Sequence, residues 1–378
     1  LTNFLETLIS NMLWMPMTSA TTAHHYKQIL SKACLQTDAE AIDFVDFQGH
    51  NFGMRGMAGI DATVYAGLGH AISFKGDDSL PTIAAARKYY DETGFVVGSV
   101  NATEHSVMCA GTKGDEIGTF KYLMKQFPTG ILSIVSDTWD LWKVITEYLP
   151  QLKEEIISRE GKIVIRPDSG DPVDIICGIH GNGLKGAGIT KNYAEYSKQA
   201  TQLGYNSKYS QEEYKGVIEL LWDIFGGTIN KQGYKVLDPH IGAIYGDSIT
   251  LERADEICKR LESKGFASTN IVLGIGSYTY QYVTRDTHGF AMKATYCEVE
   301  TVSECVMCHN QGAEMGVPHL FGEPCYGCGT PERDLGFTID AGHDHSVEDE
   351  HEMGLADDHD ELVDEHDDTH GDEDHVLE

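Results

Sequence analysis

The sequence has no long apolar run, and this absence argues against an integral membrane protein. The hydrophobic fraction of the 378 residues is 41%, and no apolar segment approaches the ~20 residues that a membrane-spanning helix needs. No basic segment followed by an apolar one opens the chain, so no secretory signal peptide is predicted. We expect a soluble, cytoplasmic protein of one large or two ordinary domains.

Basic residues are also few. There are 28 Lys and Arg against 59 Asp and Glu, a net charge of −31, and no basic patch of the kind that nucleic-acid binding needs. Residues 341–378 hold 17 of the acidic residues and none of the basic ones, which leaves −14 for residues 1–340. This His-rich tail has few apolar residues and is predicted to be disordered, with weak binding of divalent cations as the alternative.

The nine cysteines fall into two groups. Five are scattered, mostly in apolar surroundings, as expected for reduced thiols of a cytosolic protein: Cys34, Cys109, Cys177, Cys258 and Cys297. The other four form two CxxC pairs within residues 299–340, with a spacing that fits structural zinc: Cys305, Cys308, Cys325 and Cys328. The alternative is that this cysteine-rich segment is foreign to the rest of the chain and does not fold.

The body of the chain alternates short apolar runs with amphipathic stretches, which predicts a parallel β-sheet buried on both faces by helices. The predicted strands are 42–47, 71–74, 95–100, 131–135, 162–165, 240–245 and 270–273. The predicted helices include 2–13, 81–90, 115–126, 139–148, 214–225 and 248–264, with Asp247 and Ser248 as N-cap candidates for the last. A glycine-rich stretch at 180–188 lacks the spacing of a phosphate-binding loop and is interpreted as a surface excursion.

Charged and glycine residues follow these strands. Because the carboxyl ends of parallel strands meet at one rim, where α/β enzymes carry their active sites, we expect these side chains to converge. The pattern indicates an α/β enzyme with a polyanionic ligand. The residues are Arg55, Asp78, Glu104, His105, Asp137, Arg166, Asp168, Gly246, Asp247, Gly274 and Gly276.

Seven ordered motifs are more specific than composition. They are FGMRG at 52–56, FKGDD at 74–78, EHS at 104–106, SIVSD at 133–137, IRPDSG at 165–170, YGD at 245–247 and TRD at 284–286. In this order and spacing the chain resembles the nicotinamide phosphoribosyltransferase family over residues 1–298. The family has a sizeable portion before the equivalent of Leu1, so we expect the native start to be missing. The sequence after Glu298 does not resemble the family, as a fusion or a shifted reading frame would explain.

The resemblance implies a β/α-barrel of the type II phosphoribosyltransferase kind, active as a homodimer. The implied reaction joins nicotinamide to the phosphoribosyl group of phosphoribosyl pyrophosphate, giving nicotinamide mononucleotide and pyrophosphate. Mg²⁺ would assist, and ATP hydrolysis would be coupled through a phosphohistidine at His105, with Glu104 or Asp168 orienting its ring.

The resemblance also assigns binding roles. Phe52 would stack on the pyridine ring, and Asp78 would accept a hydrogen bond from the carboxamide while repelling the carboxylate of nicotinate. Two open alternatives are a nicotinate phosphoribosyltransferase, against which Asp78 argues, and a catalytically impaired remnant that binds nucleotide or metal. Phosphates, ribose or Mg²⁺ would be bound by Arg55, Ser133, Asp137, Arg166, Asp168, Gly246, Asp247, Gly274, Gly276, Arg285 and, more weakly, Lys293.

Overall fold

The computed structural model describes residues 2–179, 193–202, 209–246 and 248–293. They form an α/β structure, as predicted. The strands are β1 (Gly49–Asn51), β2 (Gly76–Asp77), β3 (Asn101–Ala102), β4 (Thr129–Val135), β5 (Glu160–Arg166), β6 (Gly227–Ile229), β7 (Lys235–Leu237), β8 (Ile241–Tyr245) and β9 (Ile271–Ile275).

Helices surround the strands in sequence. They are α1 (Thr2–Thr37), α2 (Val45–Gln48), α3 (Ile60–Ala71), α4 (Pro81–Tyr90), α5 (His105–Ala110), α6 (Glu116–Gln126), α7 (Leu141–Lys143), α8 (Leu149–Ser158), α9 (Pro172–Cys177), α10 (Tyr193–Gln202), α11 (Gln211–Phe225), α12 (Leu251–Ser263) and α13 (Ser277–Gln281). A π-helical turn (Val144–Tyr148) joins α7 to α8, and 3₁₀ turns occur at Ala39–Phe44, Met54–Gly56, Lys113–Asp115 and Ser268–Asn270. None of the helices in these described ranges is both long and apolar enough to cross a membrane.

Seven strands pair in parallel, in the order β2-β1-β9-β8-β5-β4-β3. The sheet curls into a half-barrel. Gly98 bridges Gly76 of β2 in parallel, and β3, a few residues later, pairs with β4 at the other edge. This one segment therefore contacts both edges of the sheet, and the carboxyl ends of the strands gather around a common rim.

The central strands are buried on both faces, as their near-continuous apolar sequence predicts. Neighbouring residues of a strand point to opposite faces. On β4, Ile134 and Val135 are both 0% exposed, and on β5 Val164 and Ile165 are 9% and 0% exposed. Helices cover these faces with apolar stripes at helical spacing. In α12, for example, the buried positions are Ala254, Ile257, Cys258 and Leu261.

The strand predicted at 42–47 is wrong. The segment forms a 3₁₀ turn followed by α2, because Ile42 and Val45 lie three residues apart and both face the core. The first sheet strand follows as β1, whose Gly49 has no side chain at a place where a Cβ would lie 2.8 Å from the Phe74 ring.

Three other predictions are corrected in position. The strand predicted at 71–74 begins only at Gly76, since α3 continues to Ala71. The strand predicted at 95–100 is β3 at Asn101–Ala102. The N-cap of α12 is Thr250, whose hydroxyl accepts a hydrogen bond from the backbone N–H of Arg253 at 3.3 Å.

The structure has one helix that is longer than predicted and one hairpin that was not predicted. Other predicted segments fall outside the described residues. The first helix continues to Thr37, with Pro16 inside it, and β6 and β7 form an antiparallel hairpin that the sequence pattern did not indicate. The glycine-rich stretch at 180–188, the cysteine-rich segment at 299–340 and the acidic tail at 341–378 lie outside the described residues. The division into these domains stays a prediction.

Candidate active site

The carboxyl ends of the parallel strands carry most of the predicted site residues. Phe52 follows β1 directly, His105 begins α5 just after β3, and Arg166 is the last residue of β5. Asp137 and Asp168 come two residues after the ends of β4 and β5. Parallel pairing of β4 with β5, in register from Thr129↔Glu160 to Val135↔Arg166, aligns these ends and brings their side chains together.

Arg166 is the centre of the cluster. The residue is only 4% exposed, and its guanidinium lies 3.6 Å from the Glu104 carboxylate and 3.7 Å from that of Asp168. Its Cζ stands 5.2 Å from the centroid of the Phe52 ring. These ion pairs are longer than well-formed charge-assisted hydrogen bonds. The guanidinium of Arg166 can therefore still bind an anionic ligand.

His105 lies between hydroxyl and carboxylate partners. Its Nδ1 is 3.1 Å from the Thr138 hydroxyl, and its Nε2 is 3.4 Å from Asp168 Oδ2 and 3.9 Å from Asp137 Oδ1. The side chain is 42% exposed, so a ligand on the rim can reach it. An imidazole oriented in this way is suited to nucleophilic or acid–base chemistry.

Asp137 fixes the loop after β5. Its Oδ2 accepts hydrogen bonds from the backbone N–H groups of Asp168 and Ser169 at 2.8 and 2.7 Å, and from the Ser169 hydroxyl. The Oδ1 atom is buried without a hydrogen-bond partner among the described residues. Three other atoms are also buried without a hydrogen-bond partner among the described residues: Ser133 Oγ, Arg166 Nε and Asp168 Oδ1. Buried polar atoms are rarely left unpaired, so four of them at one rim indicate a site for a polar ligand.

Two glycines make room for this cluster. A Cβ on Gly246 would lie 2.2 Å from Asp168 Oδ1 and 2.8 Å from Arg166 Nε. A Cβ on Gly274 would lie 2.7 Å from the Phe52 ring. Only glycine fits at these positions, while Gly276 stands between β9 and α13 as the residue before that helix.

His50 links Asp78 to Phe52. Asp78 Oδ1 is 2.7 Å from Nε2 of His50, whose ring lies 4.6 Å from that of Phe52 between centroids. Burial by itself would raise the pKa of Asp78. Hydrogen bonds from His50 and Ser99, with the positive charge of Arg166, outweigh it and lower that pKa. A carboxylate that stays ionised can accept a hydrogen bond from a flat amide.

Comparison with known proteins shows which family the chain belongs to. Residues 47–312 match the family model described as the nicotinate phosphoribosyltransferase (NAPRTase) family. The chain belongs to this family. The matched region spans β1 to β9 and therefore every strand of the parallel sheet.

Curated relatives in this family carry the name nicotinamide phosphoribosyltransferase. One from Acinetobacter baylyi is 47% identical over 309 residues, covering 80% of this chain and 56% of its own. One from Mycoplasma pneumoniae is 37% identical over 295 residues, covering 78% and 57%. The chain thus spans little more than half the length of these relatives.

A solved structure, described as a putative nicotinate phosphoribosyltransferase from Saccharomyces cerevisiae, is also similar. It is 17% identical, with a TM-score of 0.36, and the match covers 68% of this chain and 50% of that chain. At this TM-score the similarity guides no assignment of residues.

Not every residue predicted for a family member joins the cluster. Arg55 is 73% exposed and reaches Glu104 at 3.3 Å. Arg285 is half-exposed and pairs with its neighbour Asp286 at 2.8 Å, and the described residues hold no ion pair between Arg285 or Lys293 and the cluster. The roles of Arg285 and Lys293 therefore stay predictions. Asp247 and the four cysteines of the predicted zinc site lie outside the described residues.

Sequence reasoning missed His50, Thr138 and Asp77. Thr138 adjoins a predicted residue, and His50 stands two positions before Phe52, so proximity to a motif was the only available signal. Asp77 is buried and accepts hydrogen bonds from the Ser79 backbone at 2.5 Å and the Thr82 hydroxyl at 3.0 Å. Burial raises the pKa of Asp77 to about 6, although these hydrogen bonds oppose the rise. Asp77 thus holds the turn after β2, next to the residue predicted to bind substrate.

Proposed function

We propose that this protein transfers the phosphoribosyl group of phosphoribosyl pyrophosphate to nicotinamide, forming nicotinamide mononucleotide and pyrophosphate in NAD biosynthesis. The observation that carries the proposal is the arrangement around His50 and Phe52. His50 bonds Asp78 at 2.7 Å and packs on the Phe52 ring at 4.6 Å, and the buried Arg166 lies 5.2 Å from that ring. One end of the site suits a flat amide and the other suits phosphate. The names of the curated relatives support the same reaction.

The bonds that form and break in this reaction show what each part of the site would do. The pyridine nitrogen forms a bond to the anomeric carbon, and the bond from that carbon to pyrophosphate breaks with its electron pair on the leaving oxygen. Arg166 and Arg55 would hold the departing charge. The pyridine nitrogen becomes cationic, and the face of Phe52 and the carboxylate of Asp78 would stabilise it. Buried side chains around Arg166 would exclude water that otherwise hydrolyses the sugar.

Mg²⁺ is part of the proposal. Among the described residues no group of three or more His, Cys, Asp or Glu side chains could hold a metal ion by itself. Mg²⁺ is usually held by one or two carboxylates with substrate phosphates, and the unpaired Oδ1 atoms of Asp137 and Asp168 fit that donor set. Bound there, Mg²⁺ would offset the charge of the pyrophosphate.

ATP coupling is proposed through His105. An imidazole nitrogen would take the γ-phosphoryl group of ATP as ADP leaves, and water would later release it as phosphate. The half-exposed ring held between Thr138 and Asp168 supports this role. We further propose a homodimer, and a cytoplasmic location supported by the free thiols of Cys34, Cys109, Cys177 and Cys258.

The test is product formation from the purified chain. Nicotinamide, phosphoribosyl pyrophosphate, ATP and Mg²⁺ are mixed with the protein, and nicotinamide mononucleotide is quantified chromatographically, with nicotinate in a parallel reaction. Preference for nicotinamide supports the proposal. Preference for nicotinate would favour the other activity named in the family, and formation of neither product would favour a catalytically impaired remnant.

A further inference from the structure

The hydrogen bonds to the Asp78 carboxylate are unequally shared between its oxygens. Nε2 of His50 and the Ser99 hydroxyl both bind Oδ1, and no described residue donates a hydrogen bond to Oδ2. The backbone N–H of Asp78 donates to the Asn51 carbonyl at 3.0 Å, which fixes the main chain as well. The carboxylate is therefore anchored through one oxygen, and the other is left for a ligand.

His50 is itself held in place. The residue is 8% exposed, and its ring packs against Phe52 on one side. Gly76 makes room on another, since a Cβ there would lie 2.6 Å from His50 Nδ1. An ionised carboxylate only accepts hydrogen bonds, so Nε2 of His50 must carry the proton that joins it to Asp78. Any rotation of this ring would break that bond and collide with its neighbours.

We propose that His50 is a positioning residue that sets the choice between amide and acid. It holds Asp78 so that Oδ2 accepts a hydrogen bond from the carboxamide NH₂ of nicotinamide and repels the carboxylate of nicotinate. This inference rests on the proposed function. It adds a residue that acts through Asp78 and need not touch the base.

The physical consequence of losing His50 follows from burial. Without that donor, burial favours the protonated form of Asp78, and a protonated carboxyl group can donate a hydrogen bond to the carboxylate of nicotinate. Ser99 and Arg166 are the remaining polar and charged groups that face Asp78, and Arg166 is shared with Glu104 and Asp168. Discrimination against nicotinate should therefore fall.

The experiment compares His50→Leu with His50→Gln. For each variant the ratio of kcat/KM for nicotinamide to that for nicotinate is measured, together with the ratio of dissociation constants from calorimetry. Ratios do not depend on the fraction of protein that is folded. His50→Leu should lower the ratio about ten-fold, the effect of losing one hydrogen bond to a charged group, with KM for nicotinamide raised and kcat nearly kept. His50→Gln retains an N–H donor at similar reach and should restore most of the ratio.

His240→Leu is the matched control. His240 forms the same kind of pair, with Nδ1 at 2.7 Å from Asp238 Oδ1, at the amino end of β8 and therefore away from the rim. It should leave the ratio unchanged. An unchanged ratio in His50→Leu, or an equal loss in His50→Leu and His50→Gln, would overturn the inference. Binding of both bases without turnover in the wild type would count against the proposed function alone, since the calorimetric ratios still test His50. Binding of neither base would overturn both.

Discussion

At the scale of single residues, the site depends on Gly246, which has no side chain. Gly246 adjoins both Asp168 and Arg166, and a methyl group there would lie 2.2 and 2.8 Å from their polar atoms. Gly246→Ala should push both side chains away and lower kcat/KM about 100-fold, because small losses of positioning have effects of that size.

Gly242→Ala, on β8 just before Gly246, is the control for this change. A Cβ on Gly242 meets the flexible side chain of Lys162 at 3.2 Å, which can move aside. Steady-state kinetics of both variants give the comparison, and equal activity of the two would show that the contact between Gly246 and Asp168 has no catalytic consequence.

Asp78 is expected to determine the preference between the two bases. Asp78→Asn replaces a charge that repels nicotinate with a neutral amide, so the preference for nicotinamide should fall about ten-fold or more. Competition between nicotinamide and nicotinate in one reaction measures this preference directly. Asp91→Asn, at the exposed end of α4, is the control, and the hypothesis fails if the two variants show the same preference.

His105 is expected to couple ATP hydrolysis to synthesis without being needed for the bond at the anomeric carbon. His105→Ala should abolish ATP hydrolysis and leave some ATP-independent formation of nicotinamide mononucleotide. Phosphate release and product formation are assayed side by side. His24→Ala, exposed on α1, should behave as the wild type, and an ATPase rate in His105→Ala equal to the wild-type rate would rule out the role.

At the scale of elements, the start of α6 carries a buried carboxyl group. Glu116 is 4% exposed, and its Oε1 has no hydrogen-bond partner among the described residues. Burial and then the charge of Asp140 raise the pKa of Glu116 to about 7, against the opposing charge of Lys143. A raised pKa of this kind contributes stability that is complete below the ordinary value of 4.5 and is lost as the pH rises through 7.

Glu116→Gln should therefore stabilise the protein increasingly as the pH rises from 4.5 to 7, and by a constant amount above that range. Gln is neutral at every pH, so the variant should exceed the wild type by about 1–3 kcal/mol at pH 8 and match it near pH 4.5. Denaturant unfolding at several pH values gives these differences. Glu154→Gln on the exposed side of α8 is the control, and a difference for Glu116→Gln that stays constant with pH would contradict the assignment.

Elements with a strong local pattern matched their predictions. Helix α4 has the predicted bounds, with Pro81 at its first position, and β4 and β5 lie where continuous apolar runs place them. The segment 42–47 was mispredicted and the antiparallel hairpin was not predicted. A run of six or fewer residues has too few positions to separate a helical period from an alternating one.

At the scale of the whole molecule, the chain spans 56–57% of the length of two curated relatives. The resemblance implies that family members carry a further amino-terminal portion, which we propose completes the site of the partner subunit in the homodimer proposed above. A chain extended with the corresponding portion of a relative should then exceed residues 1–378 at least 100-fold in kcat/KM and in affinity for nicotinamide.

Sedimentation and calorimetric titration of both chains test this expectation. The control for chain length is an extension of the same composition, in which the residues of the relative's portion stand in scrambled order. Tight nicotinamide binding and full turnover by residues 1–378 alone would show that the site is complete without the added portion.

The sequence by itself determined the alternation of strands and helices in the body of the chain and several of the residues at the rim. Strand–helix alternation and strand-end residues are local properties, readable without knowing how the chain packs. The motifs then named Phe52, Asp78, His105 and Arg166, which the sheet brings to one rim.

Only the tertiary structure decided what neighbouring carboxylates do. Asp77 and Asp78 are adjacent in sequence, yet burial raises the pKa of Asp77 to about 6 while His50 and Arg166 keep Asp78 ionised. His50 lies 28 residues away from Asp78. Burial and partners of this kind come from distant parts of the chain, so the charge of each carboxylate is set by packing and not by the local sequence.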